Sequence, residues 1–100
     1  MDKEEIIAKL IQYKKLVSKH FNIEKMYLFG SYARETQQQY SDIDVAFVVK
    51  EIKEDFFTYA PLLWKLRVDI DPRIEPVMFE RGKDPSGFLE EIIRTGIEIN

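Results

Sequence analysis

Two short groups of residues have the types and spacing that phosphate chemistry requires. Gly30-Ser31 is separated by ten residues from Asp42-Ile43-Asp44. A glycine at the end of a strand lets the backbone approach a ligand closely, and the start of a following helix offers unpaired N–H groups and a favourable dipole to an anion. Ser31 adds a hydroxyl for a terminal phosphate, and Arg34, one turn later, adds positive charge. Asp42 and Asp44 point the same way from a strand, and like charges placed so are costly unless a cation neutralises them. Mg2+ suits such a place because it takes a few carboxylates together with phosphate oxygens and water. Two ions about 3.5–4 Å apart stabilise both the attacking and the leaving oxygen of an in-line displacement.

Each group alone is weak. Gly-Ser turns are common, and an isolated Asp-x-Asp is more often a solvated strand start. At average residue usage the combined pattern arises by chance in roughly one chain in a thousand of this length, so the two are read as one site.

The elements needed to position that site follow from periodicity. Asp2 and Glu5 have capping-box spacing, and Ile6, Ile7, Leu10, Ile11 and Val17 recur at helical intervals to about His20. Ile23 to Phe29 reads as a short buried strand ending at Gly30. Ser31 to Glu35 makes a short helix, and Thr36 to Tyr40 an exposed loop. From Asp42 to Val49 the chain alternates, with Ile43, Val45, Phe47 and Val49 on one face and Asp42, Asp44, Ala46 and Val48 on the other. A helix from about Glu54 to Val68 turns Phe56, Phe57, Ala60, Leu63, Trp64 and Leu66 toward the sheet. Ile74 to Phe79 is a third strand, with Pro76 favouring an edge or a bulge. Asp84-Pro85 starts a last helix carrying Phe88, Leu89, Ile92 and Ile93, and Gly96 stops it. The order α-β-α-β-α-β-α predicts a small α/β (α+β) sandwich, a short mixed sheet with helices packed on one face.

One hundred residues, 45% hydrophobic and 33% charged, make a single ordinary domain over 1–100. The absence of cysteine excludes disulfides and thiolate sites, and cytoplasm is the default compartment. The amphipathic N-terminal pattern argues against a signal peptide or membrane span. A net charge of −3 lacks the basic footprint of a protein that grips long nucleic acid, which leaves nucleotides and proteins as ligands.

The stretch Leu28-Phe29-Gly30-Ser31-Tyr32-Ala33-Arg34, with Ser41-Asp42-Ile43-Asp44-Val45, resembles the signature of the minimal nucleotidyltransferase family within the DNA polymerase beta superfamily. The resemblance is specific over that stretch and looser over nearly the whole chain. It implies a small nucleotidyltransferase fold, similar to the catalytic half of kanamycin nucleotidyltransferase without the acceptor-binding half. It further implies ATP as substrate, two Mg2+ ions, and Gly30, Ser31 and Arg34 as nucleotide-binding residues. Many proteins of this kind are antitoxin partners of HEPN-domain ribonuclease toxins, and some transfer AMP from ATP to a tyrosine hydroxyl of the toxin. The family pattern asks for a third acid beside Asp42 and Asp44, as metal ligand or general base. Glu75 fits, with Asp69 and Asp71 as rivals. Many members have glycine after the Ala-Arg pair, whereas here Glu35 adds a negative charge near the triphosphate.

Two other readings stand beside the protein adenylyltransferase. One is an antitoxin that neutralises its toxin by binding alone. The other is an aminoglycoside-type transferase, which the short chain allows only if a dimer builds the acceptor pocket. Apolar strand edges and an uncovered sheet face admit a homodimer or a hetero-oligomer with the toxin. His20 reads as a structural cation at a helix end, and Trp64 with Phe56-Phe57 as core. Tyr32 and Tyr40 flank the loop as candidates for nucleobase contact.

Overall fold

The structure is a computed structural model that describes residues 2–38 and 41–100. Helix α1 runs Lys3–Val17, and Asp2 caps it by accepting a hydrogen bond from the Glu5 backbone N–H at 2.9 Å. Its i, i+4, i+7 face buries Ile6, Leu10, Tyr13 and Val17 completely. Strand β1 (Ile23–Phe29) leads through Gly30 into the four-residue helix α2 (Ser31–Arg34). Strand β2 (Ile43–Val49) is followed by α3 (Phe56–Leu66), a 3-10 turn at Arg67–Asp69, and strand β3 (Ile74–Glu80). Helix α4 (Phe88–Thr95) and the two-residue strand β4 (Ile97–Glu98) complete the chain.

The sheet has the order β3-β2-β1-β4. β1 is antiparallel to both β2 and β4, and β2 is parallel to β3. This mixed four-strand sheet agrees with the expected fold class. The alternation read for β2 is observed: Ile43, Val45 and Phe47 enter a large core with α1 and Leu63 of α3, while Ala46 and Val48 enter a smaller one. Pro76 lies on β3 at the sheet edge, where its missing N–H leaves no gap in an inner ladder.

The structure departs from expectation in four places. The helices do not all lie on one face. α1 and α3 do, but α4 packs Leu89 and Ile92 on the opposite face against Tyr27, Ala46 and Val48, because β1 and β2 are apolar on both sides. β4 was missed because two residues are too few for a period; Gly96 permits it, since a side chain there would meet the carbonyls of Ile92 and Leu28 at 2.6 and 2.8 Å. Asp84 is not the N-cap of α4. Gly87 holds that position, and the Asp84 carboxylate accepts from the Leu89 and Glu90 N–H groups at 3.0 and 2.9 Å. Finally, Phe56, Phe57 and Trp64 are exposed, because Ala60 and Leu63 define the inward face of α3.

Candidate active site

The site is assembled where β1 ends and β2 and β3 begin. At the end of β1, Gly30 has φ 76° and ψ −150°, a conformation that side-chain-bearing residues rarely adopt. The close approach it permits is to Asp44: a Cβ on Gly30 would collide with Asp44 Oδ2. The register explains the meeting, for Phe29 is the β2 partner of Asp44 across the antiparallel pair. On the other side Asp44 stands opposite Glu75 in the parallel pair. One carboxylate therefore lies between the glycine turn and a second carboxylate, although the three residues are far apart in sequence.

Asp42 precedes β2 and is solvent-exposed, while Asp44, the second residue of the strand, is half-buried. Burial pushes the Asp44 carboxyl above its ordinary range and the charge of Asp42 adds to this, opposed by a hydrogen bond with Glu75 and by the Arg34 charge. Glu75 is raised likewise, first by burial, then by its hydrogen bond with Asp42 and the charges of Asp42 and Asp44; Arg67 opposes the shift. The cluster is thus an oxygen-only donor set carrying more negative charge than its own cations relieve, which is the donor chemistry of Mg2+. Among the described residues no three such side chains form a ready-made cage.

On the phosphate side, the first-turn N–H groups of α2 have no intrahelical acceptor, as at any helix start. Ser31, half-buried, opens that turn, and Arg34 is exposed at its end. With only four residues, α2 has a small dipole, so the seat depends on backbone N–H groups and the Ser31 hydroxyl. Glu35 ends α2 in the left-handed conformation, with φ 59°. This explains why glycine suits the position. The Glu35 carboxylate is drawn toward α1, where Lys3 pairs with it at 3.3 Å. Glu35→Gly is expected to stabilise the fold by about 0.5–1 kcal/mol, because the left-handed strain outweighs one exposed ion pair. Thermal unfolding would register this as a rise of several degrees.

Of the two rivals to Glu75, Asp71 is engaged in other bonds. Asp69 lies in the 3-10 turn. Asp71 is buried and accepts from Lys9 Nζ at 3.0 Å and from Arg73 Nη2, Nε and backbone N–H at 2.7, 3.1 and 2.9 Å. Those bonds, led by the Arg73 side chain, hold its carboxyl well below the usual carboxylate range. A depressed folded value means that Asp71 stabilises the fold above the unfolded carboxyl value of about 4, and that this contribution is lost as the pH falls further. Asp71→Asn is expected to cost about 2–3 kcal/mol in urea unfolding at pH 7. Its deficit relative to the parent should narrow as the pH drops below about 4; a deficit constant with pH would contradict this.

Tyr32 is buried, and its hydroxyl accepts from Arg73 Nη1 at 3.2 Å, so it braces α2 against β3 rather than offering a face to a nucleobase. Tyr40 lies outside the described residues. His20 sits beyond the end of α1 and lines a separate cleft with Phe21, Val49, Lys50 and Met78, away from the carboxylates. Two contributors escaped the sequence reading, Arg67, whose charge bears on Glu75, and Arg73, which ties Tyr32 to Asp71. Arg67 has no local signal, since it acts on Glu75 through the fold, whereas Arg73 pairs with Asp71 two residues away and only its bond to Tyr32 needs the tertiary structure.

A glycine turn and a serine at one side of a carboxylate cluster, with arginine charge acting on that cluster from two elements, define an enzyme of phosphate-ester chemistry. Residues 11–100 match the family described as Polymerase beta, Nucleotidyltransferase, and the chain belongs to that family. It is 31% identical over 102 residues to a Methanocaldococcus jannaschii protein named "Putative protein adenylyltransferase MJ0141", covering 95% of this chain and 99% of that one. A crystal structure described as a "putative nucleotidyltransferase" from Sulfolobus solfataricus has the same fold, with TM-score 0.68 and 23% identity over 93% of this chain and 78% of that one. A second solved structure, titled "Crystal structure of the toxin-antitoxin with AMP-PNP", superposes with TM-score 0.71 at 26% identity, over 94% of this chain and 72% of that one. No helix among the described residues is long and apolar enough to cross a membrane.

Proposed function

We propose that this nucleotidyltransferase is a Mg2+-dependent protein adenylyltransferase that moves AMP from ATP to a tyrosine hydroxyl of a HEPN-type ribonuclease toxin, and so acts as a cytoplasmic antitoxin. The observation that carries the reading is the position of Asp44, against Gly30 on one side and Glu75 on the other. In this reading the Gly30 turn and the Ser31 hydroxyl hold the outer phosphates, and Arg34 adds charge beside them. Asp42, Asp44 and Glu75 would hold the metal together with phosphate oxygens and water. Two Mg2+ ions held there would supply Lewis-acid stabilisation of the attacking and leaving oxygens.

Glu75 alternatively serves as the acceptor for the hydroxyl proton, a role suited to a carboxylate whose proton affinity is raised by burial and by the neighbouring Asp42 and Asp44 charges. The hydroxyl oxygen forms a bond to the α-phosphorus of ATP as the bond from that phosphorus to the bridging oxygen breaks. Pyrophosphate leaves and the proton passes to Glu75.

The relative named as an adenylyltransferase and the toxin–antitoxin structure titled with AMP-PNP support this substrate class. The test is intact mass spectrometry of a HEPN toxin after incubation with this protein, ATP and Mg2+. A gain of one or more AMP units, lost with Asp42→Ala/Asp44→Ala, is expected. An unchanged mass, with toxicity still neutralised by the double variant, would replace transfer by neutralisation through binding alone.

A further inference from the structure

The outer shoulder of α3 and the 3-10 turn that continues it carry an apolar stripe that the fold leaves uncovered. Phe57 is 86% exposed, Val68 60% and Trp64 38%, and Pro61 lies between them on the surface. Their positions, 57, 61, 64 and 68, have the alternating spacing of four and three that forms a seam along one side of a helix. Phe56, 61% exposed, widens the seam at its start. Together these side chains expose on the order of 400 Å2, the size of patch that marks an interaction surface on a small protein.

We infer that this stripe is a self-association surface, on which a second copy of the chain packs its own α3 antiparallel about a twofold axis. Three observations select that occupant. First, the stripe is self-complementary. Read antiparallel about a point between residues 62 and 63, Phe57 of one copy meets Val68 of the other, and Pro61 meets Trp64, each pair occurring twice as an isologous contact requires. Trp64 already has one ring face covered by the Arg67 guanidinium at 4.5 Å, so the opposite face is the one presented to a proline ring.

Second, charge is arranged to suit the same orientation. The approach to α3 carries Glu51, Glu54 and Asp55 against Lys50 and Lys53, a small acidic excess, and its far end carries Lys65 and Arg67 against Asp69, a small basic excess. Antiparallel packing brings the acidic end of each copy toward the basic end of the other and sets the two helix dipoles in opposition. A parallel arrangement would oppose like ends. Third, two such patches with a polar rim bury about 1,000 Å2, the lower bound for a specific interface. The inference is independent of the acceptor proposed above.

The chain has no cysteine, so engineered thiols report the geometry directly. Phe57 and Val68 of one copy are about 16 Å or more apart along α3 and the turn that continues it, and cannot join to each other. The Phe57→Cys/Val68→Cys variant is therefore expected to form a disulfide-linked dimer under mild oxidation, while Phe57→Cys alone gives at least tenfold less. Sedimentation equilibrium of the parent protein should show a reversible dimer below 100 µM, and Phe57→Ser/Trp64→Ser, checked for folding by circular dichroism, should weaken it at least 100-fold. A parent monomer at that concentration overturns the proposal and leaves the stripe to a different protein. Linking by Phe57→Cys alone as readily as by the double variant overturns the antiparallel arrangement.

Discussion

Replacing Asp44 by asparagine is expected to reduce nucleotidyl transfer by about 10^3-fold or more while leaving the fold at least as stable as the parent. The loss follows from position. Asp44 touches the glycine turn and is the register partner of Glu75, so in the proposed site its charge holds the metal against the phosphates. Isosteric asparagine keeps the shape and removes the charge. Loss of preorganised electrostatics at one donor already costs about 10^2–10^3 in established enzymes, and a metal-holding carboxylate contributes more.

The stability outcome has the opposite sign because the folded state raises the Asp44 carboxyl above its unfolded value, chiefly by burial. A group raised in this way favours folding fully below the unfolded value and loses that contribution as the pH climbs through the folded one. Wherever the parent's Asp44 is ionised it carries a charge that the fold disfavours, and the variant does not. Thermal unfolding in Mg2+-free buffer should therefore give Asp44→Asn an equal or higher midpoint at pH 7, with the difference vanishing below about pH 4. Pyrophosphate release with the toxin acceptor measures the catalytic arm. Transfer within tenfold of the parent would remove Asp44 from the chemistry.

Gly30→Ala is expected to impair both properties. At φ 76° and ψ −150° a side chain is strained wherever there is room for it, at about 1–3 kcal/mol. Here there is no room, because the new Cβ occupies the place of Asp44 Oδ2. Either the turn opens or the carboxylate moves, and each displaces the phosphate seat from the metal-holding group. A shift of about 1 Å in a reacting constellation costs roughly 10^2-fold. The expected variant is less stable by about 2–3 kcal/mol in denaturant unfolding and at least about 10^2-fold slower in transfer. This joint loss separates it from Asp44→Asn, which loses activity alone. An alanine variant of parental stability would show that the turn tolerates a side chain.

Much of the structure was legible because the relevant signals are local. The two-residue alternation of Ile43, Val45 and Phe47 against Ala46 and Val48 is a property of seven consecutive residues, and it sorted them onto their two cores. The Asp2 cap, the strand ending at Gly30 and the edge position of Pro76 likewise follow from one residue's chemistry and its neighbours. Helix α3 was misread where local information is ambiguous. Its apolar residues cover more than one face, so hydrophobicity alone could not separate the side held by Ala60 and Leu63 from the side carrying Phe57 and Trp64.

By itself the sequence determined the strand–glycine–serine turn, the Asp-x-Asp at the next strand, and the order of helices and strands, since turn chemistry and periodicity act over a few residues. Only the tertiary structure sets one of the three later acids beside them. Glu75, Asp69 and Asp71 lie within seven residues of one another, and it is the parallel pairing of β3 with β2 that sets Glu75 opposite Asp44. The burial of Asp71 against Lys9 and Arg73 commits it to an ion-pair network instead. Strand pairing and burial are contacts between distant segments, and Gly30 and Asp44 meet for the same reason, through the antiparallel register of β1 and β2.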